Sequence, residues 1–135
     1  MKDDVSEKEK KSEDSEKKVF DIRERTFTFA VRIVKLSQFL EKQTDVNKNL
    51  IRQLLKAGTL VGANLEEAQA GQSKPDFISK NAISLKETRE TNYWLRLVLA
   101  THDFQDKIRL GIEELVEEST EISKIIASII VSAKK

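Results

Sequence analysis

The fold is decided by residues 50–99, which read LIRQLLKAGTLVGANLEEAQAGQ, then SKPDF, then ISKNAISLKETRETNYWLRLVL. Apolar residues recur at helical spacing on both sides of a single break. At the break, Gly71 stands where a left-handed helix end is expected, and Ser73 with Asp76 makes a capping-box-like helix start. Pro75 falls in the first turn, where its missing N–H is not needed. A connection this short predicts two antiparallel neighbouring helices.

The composition indicates one all-α domain. The 135 residues are 39% hydrophobic and 35% charged, and glycine and proline, the residues of turns, number only four and one. Cysteine is absent, which excludes a disulfide framework and a zinc–thiolate site and fits the reducing cytoplasm, where we expect the protein to act. No apolar run approaches the roughly 20 residues of a membrane span, so we expect no membrane contact.

The N-terminal segment differs from the rest of the chain. Residues 1–18 carry six lysines against seven acidic residues and almost no large apolar side chains. Such a segment cannot bury enough surface to offset the entropy cost of ordering. We therefore expect a disordered charged tail over residues 1–18 and a four-helix bundle domain over residues 19–135. A charged arm that folds on a partner is the alternative.

Four amphipathic helices are predicted, and their short links favour an antiparallel up-down-up-down four-helix bundle. The first helix is expected to start at Asp21, which forms a cap pair with Glu24. The other expected ranges are about Asp45 or Val46 to Ala70, about Lys74 to Thr101, and near Asp103 to Ser132. The predicted apolar face of the third helix is Ile78, Ala82, Leu85, Leu95 and Leu99.

Two glycines, Gly58 and Gly62, interrupt the second helix at a spacing of four residues. Glycine costs about 1 kcal/mol relative to alanine inside a helix, so a compensating close contact is expected. We predict the close approach of a neighbouring helix, which we take to be the third. A phosphate-binding loop is disfavoured because no strand precedes these glycines and they do not fit a Gly-rich nucleotide motif.

Charge is unevenly distributed along the chain. Residues 23–56 carry eight Lys plus Arg against three acids, whereas residues 103–121 carry two against seven. The cations recur at helical spacing, and Phe39 lies among them as an aromatic that can stack on unpaired bases. One interpretation of this pattern is a nucleic-acid site made of Arg25, Arg32, Lys35, Phe39, Lys42, Lys48, Arg52 and Lys56. The alternative is ordinary solvated faces, or cations that meet the acidic face of the fourth helix in a neighbouring subunit.

Enzyme chemistry finds little support in the residues. A di-iron bundle needs Glu-x-x-His motifs, but the only histidine is His102 and Leu99 stands three residues before it. His102 with Asp103 is more simply a helix junction than part of a catalytic triad. We expect no enzymatic activity, no metal and no cofactor.

Several ordered motifs follow the run FDIRERTFTFAVRIV along the chain. They are Arg52-Gln53-Leu54, Gly62-Ala63-Asn64, Glu67-Ala68, Asp76-Phe77, Lys80, Ala82, Lys86-Glu87, Glu90 and Tyr93-Trp94-Leu95. Together they resemble the motifs of bacterial four-helix-bundle proteins known as 23S rRNA-intervening-sequence proteins, and the likeness covers about residues 20–133.

The resemblance implies an antiparallel bundle that assembles into a ring-like homopentamer. It also implies a fold similar to the basic pentameric accessory protein of diversity-generating retroelements, which binds nucleic acid. RNA or DNA binding is therefore the leading hypothesis. A protein-interaction scaffold without nucleic-acid affinity is the alternative, and salt-sensitive RNA binding distinguishes the two.

Overall fold

The computed structural model describes residues 6–71 and 73–135. They form four helices, and no strand occurs among them, so the all-α prediction is confirmed. No helix in these two ranges is long and apolar enough to cross a membrane. The helices are α1 (Glu7–Glu41), α2 (Lys48–Gln69), α3 (Lys74–Thr101) and α4 (Asp106–Lys134).

The first helix begins earlier than predicted. The Ser6 hydroxyl accepts a hydrogen bond from the Glu9 N–H at 3.2 Å and caps α1, so the expected start at Asp21 is wrong. Glutamate and lysine are strong helix formers even without an apolar face, and acidic residues suit the positive end of a helix. Residues 1–5 of the predicted tail lie outside the described residues, and a domain boundary after residue 18 stays a prediction.

A side-chain cap also sets the start of α2. The Oδ1 atom of Asn47 accepts hydrogen bonds from the N–H groups of Asn49 and Leu50, at 2.9 and 3.1 Å. These bonds satisfy two of the four open amides of a helix start. The helix therefore begins at Lys48, a few residues later than predicted, and α4 also begins later than predicted.

The connection between α2 and α3 confirms the predicted start of α3 but not the predicted conformation of Gly71. The Ser73 hydroxyl accepts from the Asp76 N–H at 3.2 Å, and Pro75 lies in the first turn, which confirms the start of α3. Gly71 is not left-handed, because no described residue has a positive φ. A Cβ at Gly71 would lie 2.5 Å from Asp76 Oδ2 and 3.0 Å from the Ala68 carbonyl oxygen. Limited space, and not backbone conformation, therefore favours glycine here.

All four helices contribute apolar side chains to one core. Each helix contacts the next one along the chain, and α4 also contacts α1, although that last contact is the least extensive. The largest fully buried side chains are Ile22, Phe29, Ile33 and Leu40 of α1, Ile51, Leu54 and Val61 of α2, Leu95 and Val98 of α3, and Ile112, Ile122 and Ile126 of α4.

The inward face of α3 is more polar than predicted. Its buried positions are Asn81, Ser84, Thr88, Thr91, Leu95 and Val98. Ala82, which we expected in the core, is exposed. The Thr88 and Thr91 hydroxyls donate to carbonyls of their own helix at 2.8 and 2.7 Å, and Ser84 donates to the Val61 carbonyl of α2 at 2.7 Å. These bonds remove the penalty for burying a hydroxyl. The spacing of apolar residues alone therefore predicts the wrong buried face for α3.

The helix that approaches the two glycines of α2 is α1, and not α3 as we expected. A Cβ at Gly58 would lie 2.7 Å from Cγ2 and 2.9 Å from Cγ1 of Ile33, a buried α1 residue. A Cβ at Gly62 would lie 3.4 Å from Thr26 Oγ1, also on α1, which is close to ordinary contact. The close approach is therefore tightest at Gly58.

We predict opposite effects for alanine at the two glycines. Gly58→Ala is expected to cost about 1–3 kcal/mol by overpacking against Ile33, which outweighs the helix-propensity gain of about 1 kcal/mol. Gly62→Ala, the matched control, is expected to leave the free energy of unfolding unchanged or to raise it. Urea unfolding followed by circular dichroism measures both. A Gly58→Ala variant as stable as the wild type would show that α1 does not approach α2 there.

Candidate nucleic-acid interface

Two of the eight candidate residues, Arg25 and Arg32, are paired with acids of α4. Arg25 donates through Nε and Nη2 to the two carboxylate oxygens of Glu118, both at 2.7 Å. These hydrogen bonds raise the pKa of the Arg25 guanidinium above its ordinary value. Arg32 donates through Nη2 to Glu114 at 3.0 Å. We considered that such cations meet α4 of a neighbouring subunit, but the structure makes this contact within one chain.

The other candidates of α1 divide into two exposed lysines and a partly buried aromatic. Lys35 and Lys42 are exposed and have no ion-pair partner in the described part of the chain. Phe39 is partly buried and packs against the core, so the expectation of an exposed aromatic is wrong. The apolar face of α1 is wide enough to include Phe39 on its edge towards α4.

A shallow groove of about 330 Å³ lies between α1 and α4, and we refer to it as the α1–α4 groove. It brings three of the candidates together: Arg32, Lys35 and Phe39. Lys107 of α4 adds a cation that the sequence analysis did not single out. Apolar side chains form the rest of its wall, so the groove combines an apolar surface with a basic edge. Its lining residues are Arg32, Lys35, Leu36, Phe39, Lys107, Ile108, Gly111, Ile112 and Leu115.

The three candidates of α2 do not line this groove. The Lys48 ammonium lies 2.9 Å from both the side-chain carboxylate and the backbone carbonyl of Glu41, where it links the end of α1 to the start of α2. Arg52 and Lys56 are exposed and, within the described residues, form no ion pair. Lys56 lies close enough to Glu87 of α3 for its charge to act on that carboxyl.

The outer face of α3 carries a group of residues that the sequence analysis missed. We define the α3 outer stripe as Lys86, Arg89, Tyr93 and Arg96, all of which are exposed. The Tyr93 ring contacts the Trp94 ring edge-on, with 5.3 Å between centroids, and the Arg96 guanidinium lies 5.7 Å from the Tyr93 centroid. These positions are three, four and three residues apart, so a shared helix face could have been predicted from the sequence.

One carboxyl beside this stripe is electrostatically disfavoured. Partial burial raises the pKa of Glu87, and the neighbouring charge of Glu90 raises it further. Lys86 and Lys56 oppose the shift but do not cancel it. The Glu87 carboxylate is therefore held in its charged form at a cost to the folded state at neutral pH.

His102 ties the end of α3 to the connection between α1 and α2. Its Nδ1 lies 2.9 Å from the Thr101 hydroxyl, and its Nε2 lies 3.0 Å from the Asp45 carbonyl oxygen. Both ring nitrogens are therefore engaged, and the Nε2 contact joins separate elements of the fold. The described residues contain no group of three or more His, Cys, Asp or Glu arranged to hold a metal ion.

A charge swap tests the Arg25–Glu118 pair. Arg25→Glu is expected to lower the free energy of unfolding by about 1 kcal/mol, because a half-exposed bidentate pair becomes a repulsion. Adding Glu118→Arg in the same chain is expected to restore most of the loss. Thermal unfolding of the single and double variants measures this, and a double variant no more stable than the single one would contradict the pairing.

The raised pKa of Glu87 predicts that Glu87→Gln stabilises the protein in a pH-dependent way. A folded-state pKa above the unfolded value means that the folded protein holds this proton more tightly, so the contribution of this carboxyl to stability is lost as pH rises through the folded pKa. The amide cannot ionise. We expect Glu87→Gln to have a higher melting temperature than the wild type at pH 7 and an equal one near pH 3. A gain of the same size at both pH values would rule out titration as its cause.

The sequence and the fold of this chain match those of known proteins. The family model described as 23S rRNA-intervening sequence protein matches residues 18–128. A crystal structure from Bacteroides thetaiotaomicron, of a protein with unknown function from the S23 ribosomal protein family, is 40% identical in sequence. It superposes with a TM-score of 0.75 over 84% of this chain and 97% of its own. No curated protein matches. Because the family model matches residues 18–128 of the 135 residues, the chain belongs to the 23S rRNA-intervening sequence protein family.

Proposed function

We propose that this chain is a non-enzymatic protein that binds nucleic acid, that the nucleic acid is RNA, and that it acts as a ring-like homopentamer of antiparallel bundles. The observation that carries the proposal is a set of exposed cations without an ion-pair partner in the described part of the chain. They are Lys35 and Lys42 of α1 and Arg52 and Lys56 of α2.

Unpaired cations differ in kind from the paired arginines of α1. A cation that already holds a carboxylate must break that contact before it binds a phosphate, whereas an exposed lysine releases only water and counterions. The acidic residues of α4 engage Arg25 and Arg32, and Glu41 engages Lys48. The four unpaired cations of the basic region remain available to a ligand. We choose RNA as the ligand because the family's description refers to 23S rRNA, although that description names no ligand.

The order of interhelical contacts supports the antiparallel up-down-up-down arrangement. Along α1 the residue number rises from Thr26 to Ile33, while the α2 residue beside it falls from Gly62 to Gly58. Chains that run in opposite directions give this descending order. The same order holds for Ser84 with Val61 and His102 with Asp45, and for Arg25 with Glu118 and Arg32 with Glu114.

Exposed apolar side chains support assembly into an oligomer. Phe27 is 67% exposed, and Val31 and Leu55 are also exposed, so α1 and α2 leave apolar surface uncovered in a single subunit. A closed ring covers such surface in every subunit. A ring of five also presents five copies of each cation, so weak phosphate contacts gain by avidity.

A protein-interaction scaffold is the second candidate function, and Phe27 is the observation that favours it. This side chain lies at an open cleft of about 700 Å³ whose walls include the Arg23–Glu66 and Arg25–Glu118 ion pairs. An exposed aromatic among already paired charges suits the surface of a protein partner better than a phosphate backbone.

A titration at two salt concentrations tests RNA binding. If about four phosphates are engaged per complex, the logarithm of affinity should fall with the logarithm of salt concentration at a slope near −3 to −4. Fluorescence anisotropy with a labelled mixed-sequence RNA measures this slope, and light scattering measures subunit number. The absence of RNA binding at low salt would favour the scaffold.

The matched variants test which cations carry that binding. Lys35→Glu with Lys42→Glu is expected to weaken binding at least about tenfold and to flatten the salt slope, with helicity unchanged. Lys134→Glu with Lys135→Glu, at the end of α4, changes the net charge equally and is expected to have a much smaller effect. Equal losses in the two double variants would indicate that only net charge matters.

A further inference from the structure

The α3 outer stripe is an exposed row of three cations and one aromatic. Positions 86, 89, 93 and 96 lie on one side of the helix because their spacing follows the helical repeat. Their Cβ atoms are about 5–6 Å from neighbour to neighbour, so Tyr93 stands between Arg89 and Arg96 within reach of both side chains. None of the four is buried in the core.

Tyr93 is an exposed aromatic whose ring is held in place by a neighbouring side chain. Its side chain is 51% exposed, and it rests edge-on against Trp94, which packs on the core. The Arg96 guanidinium lies near its ring. A ring held in this way loses little conformational freedom when a planar ligand stacks on it.

The charges around Tyr93 are available to phosphates. Arg89 forms no ion pair within the described residues, and Arg96 donates to the neutral side chain of Asn92 at 2.8 Å. Lys86 is only loosely paired with Glu90, at 3.9 Å. A shallow groove of about 500 Å³ runs from this stripe to Gln53 of α2, lined by Gln53, Lys86, Arg89, Glu90, Tyr93 and Trp94.

Phe27, which is also exposed, lacks this charge environment. Phe27 is more exposed than Tyr93, but Arg23 and Arg25 beside it are paired with Glu66 and Glu118. The partly buried Phe39 packs on the core. Of the three aromatics discussed, only Tyr93 combines an accessible ring with arginines that have no carboxylate partner in the described residues.

We propose that the α3 outer stripe binds a single-stranded segment of RNA, with one base stacked on Tyr93 and the flanking phosphates held by Arg89 and Arg96. Unpaired RNA bases in loops and bulges are the ones available to stack on aromatic side chains. This inference rests on the proposed function and assigns its base-stacking residue, which is Tyr93 and not Phe39.

The experiment uses an unstructured 12-nucleotide RNA and the intact chain. Trp94 is the only tryptophan and contacts the Tyr93 ring, so its fluorescence reports occupancy of this site directly. RNA is expected to change Trp94 fluorescence with the same midpoint as the anisotropy of a labelled RNA. Tyr93→Ala is expected to bind at least about fivefold more weakly, and Tyr93→Phe, which keeps the ring, within about twofold of wild type.

Controls separate this site from the rest of the surface. Leu110→Ala removes an exposed apolar side chain of α4, away from the surfaces proposed for RNA binding and assembly, and is expected to bind as the wild type does. Equal affinity of Tyr93→Ala and wild type, with weaker binding by the Lys35→Glu and Lys42→Glu double variant, would overturn this inference and leave the proposed function in place. No binding by the wild type would overturn both.

Three further results would count against the α3 outer stripe. One is RNA binding without any change in Trp94 fluorescence, which would place the RNA elsewhere. Another is a change in subunit number on Tyr93→Ala, which would make the stripe a subunit contact. The third is equal, Tyr93-dependent binding of the DNA of the same sequence, which would remove the assignment to RNA.

Discussion

The close approach of α1 to α2 at Gly58 is the constraint on which the arrangement of the helices depends. Ile33 occupies the space that a Cβ would take at this position and is itself fully buried. Moving the two helices apart would open a gap around a large core side chain, and the packing of the other helices on Ile33 would change with it. The basic side chains of α1 and α2 project from a pair of helices whose separation is fixed at this point.

The basic region of the sequence contains two kinds of cation that composition cannot distinguish. Arg25 and Arg32 face α4 and neutralise acids there, so they contribute to holding the first and last helices together. Lys35 and Lys42 face outwards and are free of such contacts in the described part of the chain. A surface that looks uniformly basic along the chain therefore divides into a structural part and a part that is open to a ligand.

Much of the fold could be predicted because its signals are local. Ser73 and Pro75 locate the start of α3, and the structure agrees with the predicted bounds of that helix. The buried face of α3 could not be predicted in the same way. Thr88 and Thr91 are polar and resemble surface residues in the sequence, but their hydroxyls donate to backbone carbonyls, which allows them to be buried. The early start of α1 does not follow from burial, because lysine and glutamate form a helix without burying any surface.

The candidate site was harder to predict because it depends on contacts between distant parts of the chain. Helical spacing placed Arg25 and Arg32 on one stripe, but only the alignment of α1 with α4 shows that Glu118 and Glu114 lie opposite them. The role expected of Phe39 failed for a related reason, since Phe39 is partly buried and packs against the core.

The meeting of α1 with α4 has a consequence for how the molecule responds to its solvent. These are the first and last helices, so no loop joins them, and their contact is the least extensive of the four. Two half-exposed ion pairs cross it, and the screening length of such charges falls from about 10 Å at 0.1 M salt to about 3 Å at 1 M. Apolar contacts between the other helices are not screened. High salt should therefore loosen this side of the protein first and increase the amide exchange of α1 and α4 before global unfolding.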